Sequence, residues 1–213
     1  MIADVTIDIL ATQGSRGLTH RAIDTAAGLP DGSTSYYFRS RAALLIAAAG
    51  RLAQFDLAPH GDAESEPAPE SAASVDGLCA LFARLVHQQA TTHRRRTLAR
   101  YELSLEAARN PDVAAVMADL GSRFTDVAAR MLAGLGTRDP VGDARALIAT
   151  CAGLVFESTV GGQQPYTEEE IRTVISDLLS ARMHPVAPRD DQHQHDHQEE
   201  RNDAGHRPDG RAT

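Results

Sequence analysis

Five consecutive residues near the amino end of the chain carry hydroxyl groups: Ser33, Thr34, Ser35, Tyr36 and Tyr37. Ser and Thr are poor core residues, but their hydroxyls are good hydrogen-bond partners for the edges of bases and for phosphate oxygens. The two tyrosines each add a flat ring and a hydroxyl that can reach outward. The chemistry that this run predicts is hydrogen bonding to nucleic acid.

The residues around this run predict the elements that position it: two short helices joined by a turn, and a third helix that begins near Arg41. Ile23, Ala26 and Ala27 give the first helix an apolar face. Gly28 permits the left-handed backbone of a tight turn, and Pro30 ends the helix. Phe38 is expected to anchor the second helix inward. This pattern predicts a helix-turn-helix, whose second helix lies in the major groove while the first crosses the DNA backbone.

The segment 17–45 resembles the DNA-binding domain of the tetracycline-repressor (TetR) family of bacterial transcriptional regulators. The residues that carry the resemblance are the run G-S-T-S-Y-Y-F-R-S-R-A-A-L-L and the run G-L-T-H-R-A-I-D-T-A-A-G-L before it. Two positions depart from the family pattern. Ser35 stands where members often have an aromatic residue, and Arg39 stands where many have proline or another small turn residue.

The resemblance implies a set of DNA-binding residues. Two are expected at a phosphate: Thr19 and His20. Three are expected to face the groove: Ser33, Thr34 and Tyr36. Two are expected to grip the DNA backbone: Tyr37 and Arg41. The neighbouring polar residues complete the set: Arg21, Ser35 and Arg39.

Composition favours a soluble, cytoplasmic protein. The chain has 213 residues, 42% of them apolar, and no segment approaches the roughly 20 consecutive apolar residues of a membrane span. The amino-terminal segment is amphipathic and acidic, unlike a signal peptide. The chain has no Gly-x-Ser-x-Gly, no His-Glu-x-x-His and no phosphate-cradling glycine loop, and Glu102 and Glu106 lack the Glu-x-x-His partners of a di-iron bundle. We therefore expect neither an enzyme nor a cofactor.

The net charge of -8 is distributed unevenly along the chain. Residues 1–55 carry five Arg against four Asp, whereas the acidic excess lies in 56–76 and 184–213. The predicted DNA face is therefore locally positive although the whole chain is acidic. Because each phosphate contact releases counterions from DNA, we expect the affinity of this face for DNA to depend strongly on salt.

The periodic segments all have helical spacing, which predicts an all-α fold of about nine helices. Residues 1–55 are expected to form a three-helix helix-turn-helix DNA-binding domain, and 56–72 an acidic, Pro-rich linker. Residues 73–183 are expected to form a helical bundle for ligand binding and dimerisation. The remaining segment, 184–213, is expected to be a disordered, His-rich tail.

Within the predicted bundle, helix breaks are expected at Asn110-Pro111 and at Asp139-Pro140. The segment 144–156 is almost continuously apolar, and a helix that is apolar around most of its circumference must be covered on more than one side. We expect a partner subunit to cover it. The resemblance implies that the last two helices form an antiparallel pair, which meets its symmetry mate in a four-helix homodimer interface and suits a palindromic double-stranded DNA operator.

The resemblance also implies a small-molecule effector, enclosed by the middle helices, that releases a repressor from its operator. The expected lining residues are those of mixed character on otherwise apolar faces: Phe82, His87, Tyr101, Glu102, Phe124, Cys151 and Phe156. Cys79 and Cys151 lie far apart on apolar patterns, which predicts two buried thiols and no disulfide.

An alternative function, that of a metal-responsive regulator or a metal-binding protein, rests on the tail. His193, His195 and His197 alternate with Gln and Asp, and imidazole and carboxylate are both metal ligands. Spacing by two on a flexible chain fixes no coordination geometry and supplies no supporting hydrogen bonds. We therefore expect a hydrophilic tail without a metal site.

Overall fold

The computed structural model describes residues 1–57, 74–162 and 164–183. Within that part the chain forms nine α-helices and no strand, which confirms the all-helical prediction. In chain order the helices are α1 Ile2–Gly17, α2 His20–Ala27, α3 Ser33–Tyr37, α4 Arg41–Leu57, α5 Val75–Ala90, α6 Arg94–Ala107, α7 Pro111–Gly134, α8 Pro140–Val160 and α9 Glu168–Met183. The predicted linker, apart from the last two residues of α4, and the predicted His-rich tail lie outside the described residues.

Polar side chains cap the starts of the two longest helices, α7 and α8. The side chain of Asn110 accepts a hydrogen bond from the N–H of Asp112 at 3.1 Å, and that of Asp139 accepts one from the N–H of Gly142 at 3.0 Å. A proline follows each cap directly, in the first helical position, where its missing N–H leaves no hydrogen bond unmade. The two predicted breaks are therefore confirmed as the starts of α7 and α8.

The helices α1 to α4, called the head below, do not have a core of their own. Leu10 of α1, Ile23 of α2 and Leu44 of α4 are fully buried in one cluster. Leu103 of α6 and Val113 of α7 complete that cluster. The head, the middle and last turns of α6 and the first turns of α7 therefore share one hydrophobic core, which fixes the head on the rest of the structure.

A second cluster holds together the helices α5 to α9, called the bundle below. Its fully buried members include Leu78 of α5, Leu132 of α7, Leu147 of α8 and Ile175 of α9. Helices α5, α7, α8 and α9 each bury apolar side chains in this cluster, and α6 contributes Tyr101. No helix among the described residues is long and apolar enough to cross a lipid bilayer.

Charged contacts orient the last two helices. The guanidinium Nε of Arg182, in the last turn of α9, lies 2.5 Å from a carboxylate oxygen of Asp143, in the first turn of α8. At the opposite end of α9, Arg172 pairs with Asp76 of α5. Because the end of α9 meets the start of α8, the two helices run antiparallel, as predicted.

Both cysteines of the chain are buried and free, which confirms the prediction of two buried thiols. Burial raises the pKa of the Cys151 thiol to about 12 and also raises the pKa of Cys79. Both side chains belong to the cluster of the bundle. They are therefore protonated, apolar packing groups at neutral pH.

The shared core predicts different costs for two leucines of the same helix. Leu103→Ala should lower the free energy of unfolding by about 2–5 kcal/mol, because it leaves a cavity between the head and α6. Leu105→Ala is the matched control: Leu105 is 56% exposed, so the change should stay within about 0.5 kcal/mol. Urea unfolding followed by circular dichroism measures both. Equal losses in the two variants would contradict the shared core.

Candidate nucleic-acid interface and ligand site

The connection between α2 and α3 is a tight turn with two left-handed residues. Gly28 ends α2 with φ +64°, and Gly32 precedes α3 with φ +89°. The N–H of Leu29 donates to the carbonyl oxygen of Asp24 at 2.9 Å, which closes the end of α2. Both glycines occupy backbone conformations that other L-residues adopt only with strain. The turn therefore has the conformation that the helix-turn-helix pattern predicts at Gly28.

A buried carboxylate fixes this turn. Asp24 of α2 accepts hydrogen bonds from the N–H of Gly32 at 2.8 Å, from the N–H of Thr34 at 2.8 Å and from the Thr34 hydroxyl at 2.5 Å. The Thr34 hydroxyl, together with the two backbone N–H groups, lowers the pKa of Asp24, so the carboxylate is ionised at neutral pH. Three charge-assisted hydrogen bonds thus lock α3 against α2. Sequence analysis missed Asp24, and its one available signal was an acid beside Ile23 on the apolar face of a short helix.

The same contacts correct the prediction for Thr34. Its side chain is fully buried and its hydroxyl is bonded to Asp24, so it cannot face a DNA groove. The prediction was wrong because the run of hydroxyl residues was treated as one surface. In a helix, consecutive residues point in directions about 100° apart, so one residue of a short run must face the core.

The outer side of α3 carries the two tyrosines. Tyr36 is 78% exposed and Tyr37 is 70% exposed, and their rings meet edge to face with centroids 5.2 Å apart. Ser33 and Ser35 donate their hydroxyl protons to the carbonyl oxygens of Pro30 and Gly32. Their oxygen lone pairs remain as acceptors on the same side. The exposed side of α3 therefore offers hydroxyl acceptors and two flat rings.

The residues expected at a phosphate lie at the start of α2. The Thr19 side chain accepts from the N–H of Ala22 at 3.1 Å and caps the helix. Nε2 of His20 lies 2.7 Å from the carbonyl oxygen of Phe38, so that nitrogen must carry the proton. Arg21 and Arg39 are exposed. The structure thus leaves Thr19, Arg21 and Arg39 at the surface, and uses His20 to tie α2 to the end of α3.

Arg41 has a different place from the one expected. Its guanidinium donates to the carbonyl oxygens of Leu18 at 2.7 Å and Ser15 at 2.6 Å, and lies 3.4 Å from a carboxylate oxygen of Glu106 on α6. These contacts join the head to α6. We therefore assign Arg41 to this junction and not to the DNA backbone. Sequence analysis missed the role because Glu106 is far from Arg41 along the chain.

Part of the predicted effector-lining set comes together in the bundle. Phe82 of α5 and Tyr101 of α6 pack against the cluster that contains Cys151 of α8. The Tyr101 ring meets the half-exposed Phe156 ring of α8, with centroids 5.4 Å apart at 65°. Burial raises the pKa of the Tyr101 hydroxyl. The buried hydroxyls of Tyr101 and Thr159 make no hydrogen bond to a described residue.

Three other members of that set lie elsewhere. Glu102 accepts a hydrogen bond from the N–H of Ser15 at 2.9 Å, which places it at the junction with the head and corrects its assignment to the ligand site. Nδ1 of His87 lies 2.9 Å from the carbonyl oxygen of Tyr166, a residue just before α9. Phe124 of α7 is half-buried but belongs to neither core cluster.

No three His, Cys, Asp or Glu side chains in the described part of the chain are placed to hold a metal ion. The alternation at His193, His195 and His197, on which the alternative metal function rests, lies outside the described residues. The described site therefore consists of a polar, tyrosine-bearing face on α3 and an aromatic group in the bundle.

Comparison with known proteins bears on both parts. A family model described as the tetracyclin repressor-like C-terminal domain matches residues 73–181. No curated protein matches the chain. A transcriptional regulator from Rhodococcus sp. Rha1 has a similar structure, with a TM-score of 0.69 and 20% identity over 85% of this chain and 93% of that one.

Two further solved structures are more similar in sequence. The multidrug binding protein EbrR, complexed with ethidium, is 28% identical over 83% of this chain and 95% of its own, with a TM-score of 0.65. A TetR-family member from Streptomyces coelicolor A3 is 28% identical over 83% of this chain and 95% of its own, with a TM-score of 0.61.

The matched family model spans almost the whole bundle, and the head that precedes it contains the turn and the exposed α3 face of a helix-turn-helix. The neighbours share the all-helical fold over most of their length. The chain belongs to the TetR family of transcriptional regulators.

Proposed function

We propose that this regulator is a repressor, which binds a palindromic operator through α3 and leaves it when a small molecule binds in the bundle. The observation that carries the proposal is the exposed face of α3, with Tyr36 and Tyr37 outermost and the Ser33 and Ser35 oxygens beside them. Tyr36 and Tyr37 are too exposed to contribute to packing on their own chain. Hydroxyls and tyrosines are suited to base edges and phosphates.

The charge of the head supports binding with a strong salt dependence. Five Arg and four Asp lie in residues 1–55, and Asp24 is buried away from the outer face. Arg21 and Arg39 are exposed on the head. Each phosphate contact releases counterions from DNA, so affinity should fall steeply as salt rises.

The aromatic group in the bundle supports a flat, aromatic effector. Tyr101 and Phe156 supply ring faces, and the unpaired hydroxyls of Tyr101 and Thr159 would gain hydrogen bonds from a polar ligand atom. The similar EbrR protein was solved with ethidium, a planar aromatic cation. An effector that favours the non-binding conformation by about 3 kcal/mol would lower operator affinity about 150-fold.

The outer face of α8 and α9 supports a homodimer. Phe156 and Val160 of α8 are 49% and 45% exposed, and Val174 of α9 is 39% exposed. Exposed apolar side chains on two adjacent helices mark a surface that a second copy covers in a two-fold arrangement. Two copies of α3 would then read two half-sites of a palindrome.

Binding to the DNA upstream of the protein's own gene, measured by fluorescence anisotropy between 50 and 200 mM salt, tests the proposed function. We expect sequence-selective binding that weakens steeply with salt. Arg39→Ala should reduce the salt slope by about one unit per half-site. Arg130→Ala, which removes an exposed arginine from α7, is the matched control and should bind normally. If the wild type shows no preference over a scrambled duplex at any salt concentration, the proposal fails.

The Asp24 network predicts that Thr34 positions α3 without touching DNA. Thr34→Val should lower the free energy of unfolding by about 1 kcal/mol and weaken binding to all sequences alike. Ser35→Ala is the control: it removes an exposed hydroxyl, so stability should hold and only base preference should change. Thermal unfolding and binding to a panel of duplexes measure the two effects.

The same variant has a pH signature. In the folded protein the pKa of Asp24 lies below its ordinary value of 3.8, so the stabilisation is complete above that pH and is lost as the pH falls through the folded pKa. Removing the Thr34 hydroxyl raises the folded pKa toward the ordinary value. Acid unfolding of Thr34→Val should therefore begin at a higher pH than in the wild type. An unshifted acid transition would contradict the role given to Thr34.

If the exposed face of α8 and α9 forms the dimer interface, a charge introduced there should prevent dimerisation. Val174→Asp should split the dimer, because it places an unpaired carboxylate in an apolar interface. Val127→Asp on α7 is the control, because Val127 is 38% exposed but lies on neither α8 nor α9. Sedimentation velocity compares the two. A Val174→Asp protein that still sediments as a dimer would place the interface elsewhere.

A further inference from the structure

Helix α1 is broken one turn before its end. Gly14 has φ +67° and ψ -175°, so the chain leaves helical geometry there and Ser15 to Gly17 form a separate turn. A side chain at this position would be strained by the positive φ, and its Cβ would lie only 3.2 Å from Oε1 of Glu102 on α6. The break therefore allows the backbone of α1 to approach the Glu102 carboxylate closely.

Two carboxylates of α6 hold the residue after the break. Glu102 accepts the N–H of Ser15 at 2.9 Å, and Glu106 accepts the Ser15 hydroxyl. The two glutamates are four residues apart, so they project from the same side of α6. The Ser15 hydroxyl and the nearby Arg41 lower the pKa of Glu106, which is ionised at neutral pH.

Arg41 extends this cluster to the DNA-reading helices. It sits in the first turn of α4, pairs with Glu106, and donates to the carbonyl oxygens of Ser15 and Leu18. Leu18 directly precedes Thr19, the cap of α2. We call the four residues Ser15, Arg41, Glu102 and Glu106 the latch. It connects one side of α6 with the end of α1, the entry to α2 and the start of α4.

We propose that the latch sets the orientation of α2 and α3 for DNA, and that Glu102 and Glu106 are positioning residues for DNA binding. Because α6 also carries Tyr101, a displacement of α6 would move both carboxylates and, through Ser15 and Leu18, the entry to α2. The inference rests on the proposed function, and it assigns the regulation of DNA binding to the four residues of the latch.

Two other polar contacts between the head and α6 lie away from this segment. Arg95 lies 3.4 Å from Asp8 in the middle of α1, and both side chains are more than half exposed. The guanidinium of Arg96 lies over the Phe55 ring, 3.8 Å from its centroid, at the far end of α4. The Arg95–Asp8 pair offers a matched control, because it also joins α1 to α6 by a carboxylate contact but leaves the break untouched.

The test compares Glu102→Ala, Glu102→Gln and the control Arg95→Ala in the full chain. Three properties are measured: affinity for the upstream DNA, melting temperature, and hydrogen exchange of the Ser15 amide. We expect Glu102→Ala to bind DNA about tenfold more weakly and to exchange the Ser15 amide faster, with a melting temperature close to that of the control. Glu102→Gln should restore most of the affinity, because the amide oxygen still accepts the Ser15 N–H.

Several outcomes would overturn the latch. One is a Glu102→Ala protein with wild-type affinity. Another is an equal loss of DNA affinity in Glu102→Ala and Glu102→Gln, accompanied by a lower melting temperature in both. That result would indicate a merely structural role for Glu102. If Glu102→Ala does not fold, Glu106→Ala repeats the test while the Ser15 N–H keeps its partner. A wild type that binds no duplex overturns the proposed function itself, whereas normal wild-type binding with unaffected variants overturns only the latch.

Discussion

The placement of α6 is the constraint on which the rest of the structure depends. Ala99 and Leu103 of this helix are buried in the core that it shares with the head, whereas Tyr101 packs against the cluster of the bundle. A single helix thus contributes apolar surface to both cores. The family's two regions therefore form one packed structure in this chain, and any movement of α6 must disturb the packing on both sides of it.

Two polar networks hold the DNA-reading helices α2 and α3 in place. The Asp24 network is local: it joins residues within ten positions of one another and makes α2 and α3 a rigid pair. The latch joins residues that are distant in sequence and sets how that pair sits on α6. Because Ile23 of α2 is also buried in the shared core, a displacement of α6 would move the pair as one body.

The helices could be predicted from the sequence, but only some residues of the candidate site could. Apolar spacing and the Asn-Pro and Asp-Pro caps predict where α7 and α8 begin, because these signals act within a few residues. The turn glycine Gly28 is predicted for the same reason. Thr34 was misplaced because a five-residue helix is too short for periodicity to show which residue faces inward.

The roles of Arg41 and Glu102 lay beyond sequence reasoning for a different reason. Arg41 lies 65 residues from Glu106 in the chain and Glu102 lies 87 residues from Ser15, and nothing in a single sequence pairs them. Both residue types are usually solvated on helices, so each was assigned to the nearest plausible surface. Only the packing of α1 and α4 on α6 brings the pairs together.

The burial of the two sulfur atoms limits the kind of signal to which the folded chain can respond. Cys79 and Cys151 are the only cysteines, and burial raises the pKa of both thiols. Oxidants and electrophiles react with exposed thiolates, and neither cysteine supplies one at neutral pH. Peroxide or an alkylating metabolite would thus find neither thiol of the folded chain in its reactive form.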